Sequence, residues 1–113
     1  MADVVYINEE EGKKRVMGNG KLYAKLLTKF NADTKIDNLI TFAAAQDWEK
    51  AQVEAHTIKG VAANLSLTEL FTQSLDVETQ FKGKSVNPES IEKLKACFAE
   101  TLVQVEKVIA NYA

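Results

Sequence analysis

The stretch that decides the fold is residues 47–65, which read DWEKAQVEAHTIKGVAANL. Its apolar residues recur every three or four positions, a spacing that places them on one face of an α-helix, and Asp47 can cap the first turn. The residues of this stripe are Trp48, Ala51, Ala55, Ile58, Ala62 and Leu65. The pattern therefore predicts an amphipathic helix with one buried face.

Two further helices are predicted downstream of this stretch. Ser66 and Glu69 have the spacing of a capping box that opens the first of them, and Gly83 is its expected end. Asn87 and Pro88 are typical of the cap and first position of the last helix, because proline lacks an N–H that this position would leave unpaired. The inward faces are predicted to be Leu67, Leu70, Phe71, Ser74, Val77 and Phe81, and then Ile91, Leu94, Phe98, Leu102, Val105, Ile109 and Tyr112.

Upstream, a short helix is predicted from a cap at Asn8, with Glu11 three residues on, to about Met17. Residues 18–20, Gly-Asn-Gly, break this helix and offer a second cap. The stripe that follows is Leu22, Tyr23, Leu26, Leu27 and Phe30, then Ile36, Leu39, Ile40 and Ala43. The polar residues 31–34 contain no Gly or Pro, so we predict one long helix across them.

Four long amphipathic helices with short connections predict an all-α fold, an antiparallel up-and-down four-helix bundle with a short extra N-terminal helix. The 113 residues suffice for a single domain, residues 1–113. Fourteen Lys and Arg against 16 Asp and Glu make nucleic acid an unexpected partner, and no run of about 18 apolar residues predicts a membrane span. One Cys and one His cannot supply a structural zinc site. We expect a cytoplasmic monomer with no cofactor or metal of its own.

The single histidine, His56, lies roughly 130° around the predicted helix from its buried stripe, so the imidazole is expected to face solvent. Lys59 and Gly60 follow one turn later on the same side. Gly60 costs about 1 kcal/mol inside a helix, and its outward position argues against a packing role. Each residue alone has an ordinary explanation, since an exposed His or Lys is usually solvated surface and a helical Gly can permit close helix packing. Together they indicate an open patch where Lys59 can neutralise an anion on the imidazole, such as a phosphoryl group.

The run from Ala55 to Leu65, with His56, Lys59 and Gly60 at its centre, resembles the signature of histidine-containing phosphotransfer (HPt) domains. The resemblance covers roughly residues 10–82, and Val77 and Glu78 resemble the Leu-Glu positions of the next helix. Ser66 stands where many members have Gly. The last helix resembles that of the family only in its amphipathic character.

The resemblance implies that His56 accepts a phosphoryl group, on Nε2, from the phosphoaspartate of one receiver domain and passes it to another receiver in a two-component phosphorelay. It implies that Lys59 offsets the phosphoryl charge and that Gly60 gives the partner access. Gln52, Ala63 and Asn64 are the expected partner-binding residues. Response-regulator receivers, and a hybrid histidine kinase, are the expected partners. The receiver is expected to supply magnesium, so the chain is a phosphoryl carrier rather than a kinase with its own ATP site.

Two other hypotheses stay open from the sequence. The chain could be a scaffold bundle that binds a receiver without being phosphorylated, or the phosphoacceptor module of a chemotaxis-type histidine kinase. Because the chain begins at Met and its last helix closes near the end, we expect a free-standing protein. The exposed position of Lys59 also predicts that Lys59→Ala changes the free energy of unfolding by no more than about 0.5 kcal/mol.

Overall fold

The computed structural model describes residues 4–112, so the first three residues and Ala113 of the predicted domain lie outside the described part. This part is all-helical, without a β-strand, and none of its helices has the length and hydropathy needed to cross a membrane. The six helices are α1 (Glu9–Lys14), α2 (Gly20–Asp33), α3 (Asp37–Ala44), α4 (Trp48–Leu65), α5 (Thr68–Lys82) and α6 (Pro88–Ala110).

Side-chain caps begin four of these helices where the sequence predicts them. The side-chain oxygens of Asn8, Asn19, Asp47 and Asn87 each accept a hydrogen bond from a backbone N–H in the first turn of α1, α2, α4 and α6. Each bond satisfies a donor that the helix itself cannot pair. The short extra N-terminal helix is therefore confirmed, although it ends at Lys14 rather than near Met17.

The prediction of one long helix over residues 20–43 is wrong. Helix α2 ends at Asp33, Thr34 adopts an extended conformation with ψ of 128°, and α3 begins at Asp37. Asn31, Asp33 and Thr34 are weak helix formers, so the chain can leave the helix there without a Gly or Pro. The break allows Ile36 and Leu39 to become buried in the core.

The predicted capping box at Ser66 is also wrong. Ser66 adopts the left-handed conformation, with φ of 58°, and ends α4 instead of opening α5. Its hydroxyl contacts Arg15 and Glu11, and the cap position of α5 is Leu67, without a side-chain cap hydrogen bond. A left-handed residue at the end of a helix allows the backbone N–H groups there to bond the last carbonyls of that helix. Ser66 has this role at the end of α4 and does not cap α5.

Helix α4 lies against α5 along most of its length and also contacts α3 and α2, while α6 packs on α5 and α2. The alanines on its buried face, Ala51, Ala55 and Ala62, are small enough to let neighbouring helices approach closely. The indole of Trp48 stacks on Phe81 with ring centroids 6.0 Å apart, which fixes the start of α4 beside the end of α5. The core thus holds the inner face of α4 and leaves its outer face in solvent.

Candidate functional site

His56 lies on the outer face of α4, and 71% of its side chain is exposed. The residues one position before and two positions after it, Ala55 and Ile58, belong to the buried face of α4 and are themselves buried. The prediction that the histidine faces solvent is therefore confirmed. An exposed imidazole at this place is accessible to a second macromolecule.

One nitrogen of the imidazole is occupied by a buried carboxylate. His56 Nδ1 lies 2.8 Å from Oε2 of Glu78 on α5, and the Glu78 side chain is 3% exposed. Because an ionised carboxylate only accepts hydrogen bonds, this contact selects the imidazole form that carries a proton on Nδ1. In the neutral ring, the lone pair available for chemistry is then on Nε2.

The same carboxylate holds the lysine. Lys59 Nζ lies 2.6 Å from Glu78 Oε1, so the two oxygens of Glu78 each bind one side chain of α4, His56 and Lys59. Burial by itself would raise the pKa of Glu78, but hydrogen bonds from Lys59 and His56 outweigh it and keep the pKa below its ordinary value. Glu78 is therefore an ionised acceptor at neutral pH.

The position of Lys59 corrects the picture of a freely solvated ammonium group. Its side chain is only 22% exposed and is paired with Glu78. Removing it would leave the buried carboxylate with one hydrogen-bond donor fewer, so the expectation of a negligible effect of Lys59→Ala on stability is wrong in its premise. The ammonium group remains one turn from His56, where it can reach an anion on the ring.

Gly60 faces open space. A Cβ atom built at this position would meet no heavy atom within 4 Å outside its own helix backbone. Packing therefore does not require a glycine here. The absence of a side chain leaves a gap in the surface one turn beyond His56, as the sequence predicts.

The three predicted partner-binding residues lie on two flanks of α4. Gln52 and Ala63 lie on the flank nearer α5, and Ala63 lines a groove with Ser66 and Phe71. Asn64 is exposed on the opposite flank, where it lines a larger groove with residues of α2. The structure therefore brings Gln52 and Ala63 to the side of His56 and places Asn64 across the ridge of the helix.

Sequence reasoning missed the part that Glu78 plays in the site. The signal that could have revealed it is the position of Glu78 among the buried residues of α5, because a buried carboxylate needs a cation or several donors beside it. Two exposed apolar side chains were missed as well. Val53 on α4 and Leu75 on α5 are 63% and 42% exposed and lie three residues before His56 and Glu78 respectively.

Within residues 4–112, no group of three or more His, Cys, Asp or Glu side chains is placed so that it could hold a metal ion. The only histidine contacts the carboxylate of Glu78, and no other acidic group of the described residues lies within hydrogen-bond distance of its ring. The described site is an exposed imidazole with an orienting carboxylate and a nearby cation, an arrangement that can act chemically as a nucleophile.

In the comparison with protein families, the model described as Hpt domain matches residues 26–105. Comparison with curated proteins and comparison with solved structures give no match. The matched residues include His56, Lys59, Gly60 and Glu78 and make up more than half of the chain. The chain belongs to the Hpt domain family, whose members are histidine phosphotransfer modules of phosphorelays.

Proposed function

We propose that His56 accepts a phosphoryl group from the phosphoaspartate of one receiver domain and relays it to the aspartate of another. The observation that carries this proposal is the exposed imidazole whose Nδ1 is held 2.8 Å from the buried Glu78 carboxylate. A structural histidine would not need exposure, and an ordinary surface histidine would not need a buried partner. The combination suits a ring that must be oriented and accessible at once.

The transfer uses the lone pair of Nε2. This lone pair attacks phosphorus, the N–P bond forms, and the P–O bond to the aspartate breaks so that the carboxylate leaves with its electron pair. The ring becomes a phosphorylated imidazolium with its proton still on Nδ1, where Glu78 accepts the hydrogen bond. The reverse steps return the phosphoryl group to the second receiver. Glu78 is thus a positioning residue that also stabilises the positive charge developing on the ring.

Lys59 and Gly60 serve the phosphoryl group and the partner. Lys59 offsets the negative charge of the phosphoryl group, which requires its ammonium group to divide its contacts between that group and Glu78. Gly60 leaves room for the active-site loops of the receiver. Gln52 and Ala63 extend the docking surface on the side of α5, and Asn64 extends it across the ridge of α4.

The proposed partners are response-regulator receiver domains and, as an upstream donor, a hybrid histidine kinase. The magnesium ion that assists phosphoryl transfer belongs to the receiver in this proposal. The chain acts as a cytoplasmic monomer and carries the phosphoryl group without binding ATP. Residues 1–113 form one domain.

The helices are proposed to form an antiparallel four-helix bundle of α2, α4, α5 and α6. Helix α3 packs on α4, and α1 is the extra N-terminal helix. The pairing of α4 with α5, of α5 with α6 and of α6 with α2 supports this order. The stacking of Trp48 on Phe81 supports opposite directions for α4 and α5.

The experiment that tests the function is transfer from loaded receivers. Receiver domains of the organism that encodes the chain are phosphorylated with radioactive acetyl phosphate and mixed with the protein or with His56→Gln. We expect acid-labile, alkali-stable label on the protein and none on His56→Gln. Label on both proteins would refute the proposal. Faster labelling by ATP and a kinase catalytic domain than by any receiver would favour the kinase module instead.

A further inference from the structure

The C-terminal end of α4 is bound by residues that come from the first part of the chain. The guanidinium group of Arg15 contacts the Ser66 hydroxyl and lies 3.5 Å from the carbonyl of Asn64. The Tyr23 hydroxyl donates to the carbonyl of Leu65 at 2.6 Å, and the backbone N–H of Asn8 donates to the carbonyl of Ser66 at 2.8 Å. Three successive carbonyls at the end of α4 are therefore paired outside their own helix.

Helix α1 is fitted closely to this end of the molecule. A Cβ atom at Gly12 would collide with the ring of Tyr23, so α1 can approach Tyr23 only because position 12 has no side chain. The Arg15 guanidinium also lies 2.9 Å from Glu11, and Glu11 accepts from the Ser66 hydroxyl at 3.2 Å. The carbonyl end of a helix carries partial negative charge, and a cation such as Arg15 is favourable there.

The far end of the chain holds α1 from the other side. The Tyr112 hydroxyl donates to the Glu9 carboxylate at 2.7 Å, and its ring covers Gly20, where a Cβ atom would collide with it. Lys13 lies over the same ring, 5.6 Å from its centroid. The residues of α1, Tyr23 and Tyr112 lie outside residues 26–105, which the family model matches.

We propose that α1, held by Tyr112, is a clamp that fixes the C-terminal end of α4 and thereby sets receiver docking. The docking part rests on the function proposed above, because Ala63 and Asn64 lie in this last turn and belong to the proposed docking surface. His56 lies two to three turns earlier and is held by Glu78, not by the clamp. Release of the clamp therefore weakens docking and leaves the reactivity of the imidazole unchanged.

Arg15→Met tests the clamp, because it removes the donors and keeps most of the aliphatic stem. Lys14→Met is the matched control, since Lys14 is an exposed basic residue next to Arg15 in the chain. Gly12→Ala is the second variant and acts through the collision with Tyr23. We expect both clamp variants to raise the amide hydrogen exchange rate at residues 62–67 roughly tenfold, with no change at residues 52–58.

Two phosphorylation assays separate docking from reactivity. The rate with phosphoramidate, a small donor that needs no docking, is expected to stay at the wild-type value in both variants. With a receiver that passes the transfer test above, we expect the KM to rise about fivefold at unchanged kcat. Wild-type exchange at residues 62–67 in both variants overturns the clamp. If the phosphorylation rate falls equally with phosphoramidate and with the receiver, the clamp also affects the reactivity of His56. That result overturns the proposal that the clamp acts on docking alone. If no receiver transfers a phosphoryl group to the wild-type protein, the proposed function is refuted. The hydrogen exchange rates at residues 62–67 still test the clamp in that case.

Discussion

Replacing Glu78 by Gln removes one buried negative charge and keeps the shape of the side chain. In the wild-type protein, the Glu78 carboxylate accepts hydrogen bonds from Lys59 Nζ at 2.6 Å and from His56 Nδ1 at 2.8 Å. A glutamine at position 78 has a single acceptor oxygen, and Lys59 would occupy it. The NH₂ group of the glutamine would then face Nδ1 of His56 as a donor. The ring can accept that hydrogen bond only if its proton moves to Nε2. The lone pair that attacks phosphorus is then lost.

The size of the effect follows from the hydrogen bonds that are lost. A hydrogen bond to a charged group contributes about 1.5–3 kcal/mol, which corresponds to a rate change of roughly tenfold to hundredfold. The loss of stability should be smaller than for a fully buried pair, because Lys59 is 22% exposed and can turn to water. We expect about 1–2 kcal/mol less free energy of unfolding, or a Tm lower by roughly 5–10 °C.

The assay is phosphorylation by phosphoramidate, followed by intact-protein mass spectrometry, with thermal melts of the same samples. Glu106→Gln is the control, because Glu106 is an exposed glutamate on α6. We expect slower phosphorylation of Glu78→Gln only, at temperatures where both variants are folded. A wild-type phosphorylation rate together with a lowered Tm would refute the orienting role and leave Glu78 as a stabilising residue alone.

Four other results are expected. Lys59→Ala should lower the free energy of unfolding by about 1–2 kcal/mol in urea titrations, because it takes a donor from buried Glu78, and unchanged stability would refute that pairing. Gly60→Ala should stabilise α4 by up to about 1 kcal/mol and slow transfer from a receiver but not from phosphoramidate, and an unchanged receiver rate would remove Gly60 from the docking surface. The pKa of Glu78 is lowered in the folded state, so its contribution is complete above the ordinary value of 4.5 and is lost as the pH falls through the lower folded pKa. The stability difference between wild type and Glu78→Gln should therefore shrink in urea titrations at about pH 3, and a constant difference would contradict the pairing. Burial raises the pKa of the Cys97 thiol to about 11, so iodoacetamide should modify the folded protein far more slowly than the urea-unfolded protein.

The features predictable from the sequence are those that depend on one helix at a time. Periodicity identified the buried stripe of α4 and the exposure of His56, and Asn and Asp caps marked where four helices begin. These signals are local, because a helix repeats every 3.6 residues and its first N–H groups need nearby acceptors. The same helical spacing placed Lys59 and Gly60 on the side of His56, and the family resemblance then implied a role for each of the three residues.

The features that sequence reasoning missed depend on contacts between helices. The break at Thr34 has no Gly or Pro to announce it, and it becomes favourable because Ile36 and Leu39 reach the core. Ser66 has the spacing of an N-cap, but its hydroxyl accepts a hydrogen bond from Arg15, which is 51 residues away in the sequence. The bridge from Glu78 to His56 depends on the register of α5 against α4, which the periodicity of either helix leaves undefined.

The most direct test of the central claim is ³¹P NMR of the protein after transfer from a phosphorylated receiver. A single phosphohistidine resonance assigned to Nε2 of His56, absent from His56→Gln, is the predicted result. The result follows from the 2.8 Å contact that occupies Nδ1. A resonance assigned to Nδ1, or a phosphorylated product that persists in His56→Gln, would contradict the account.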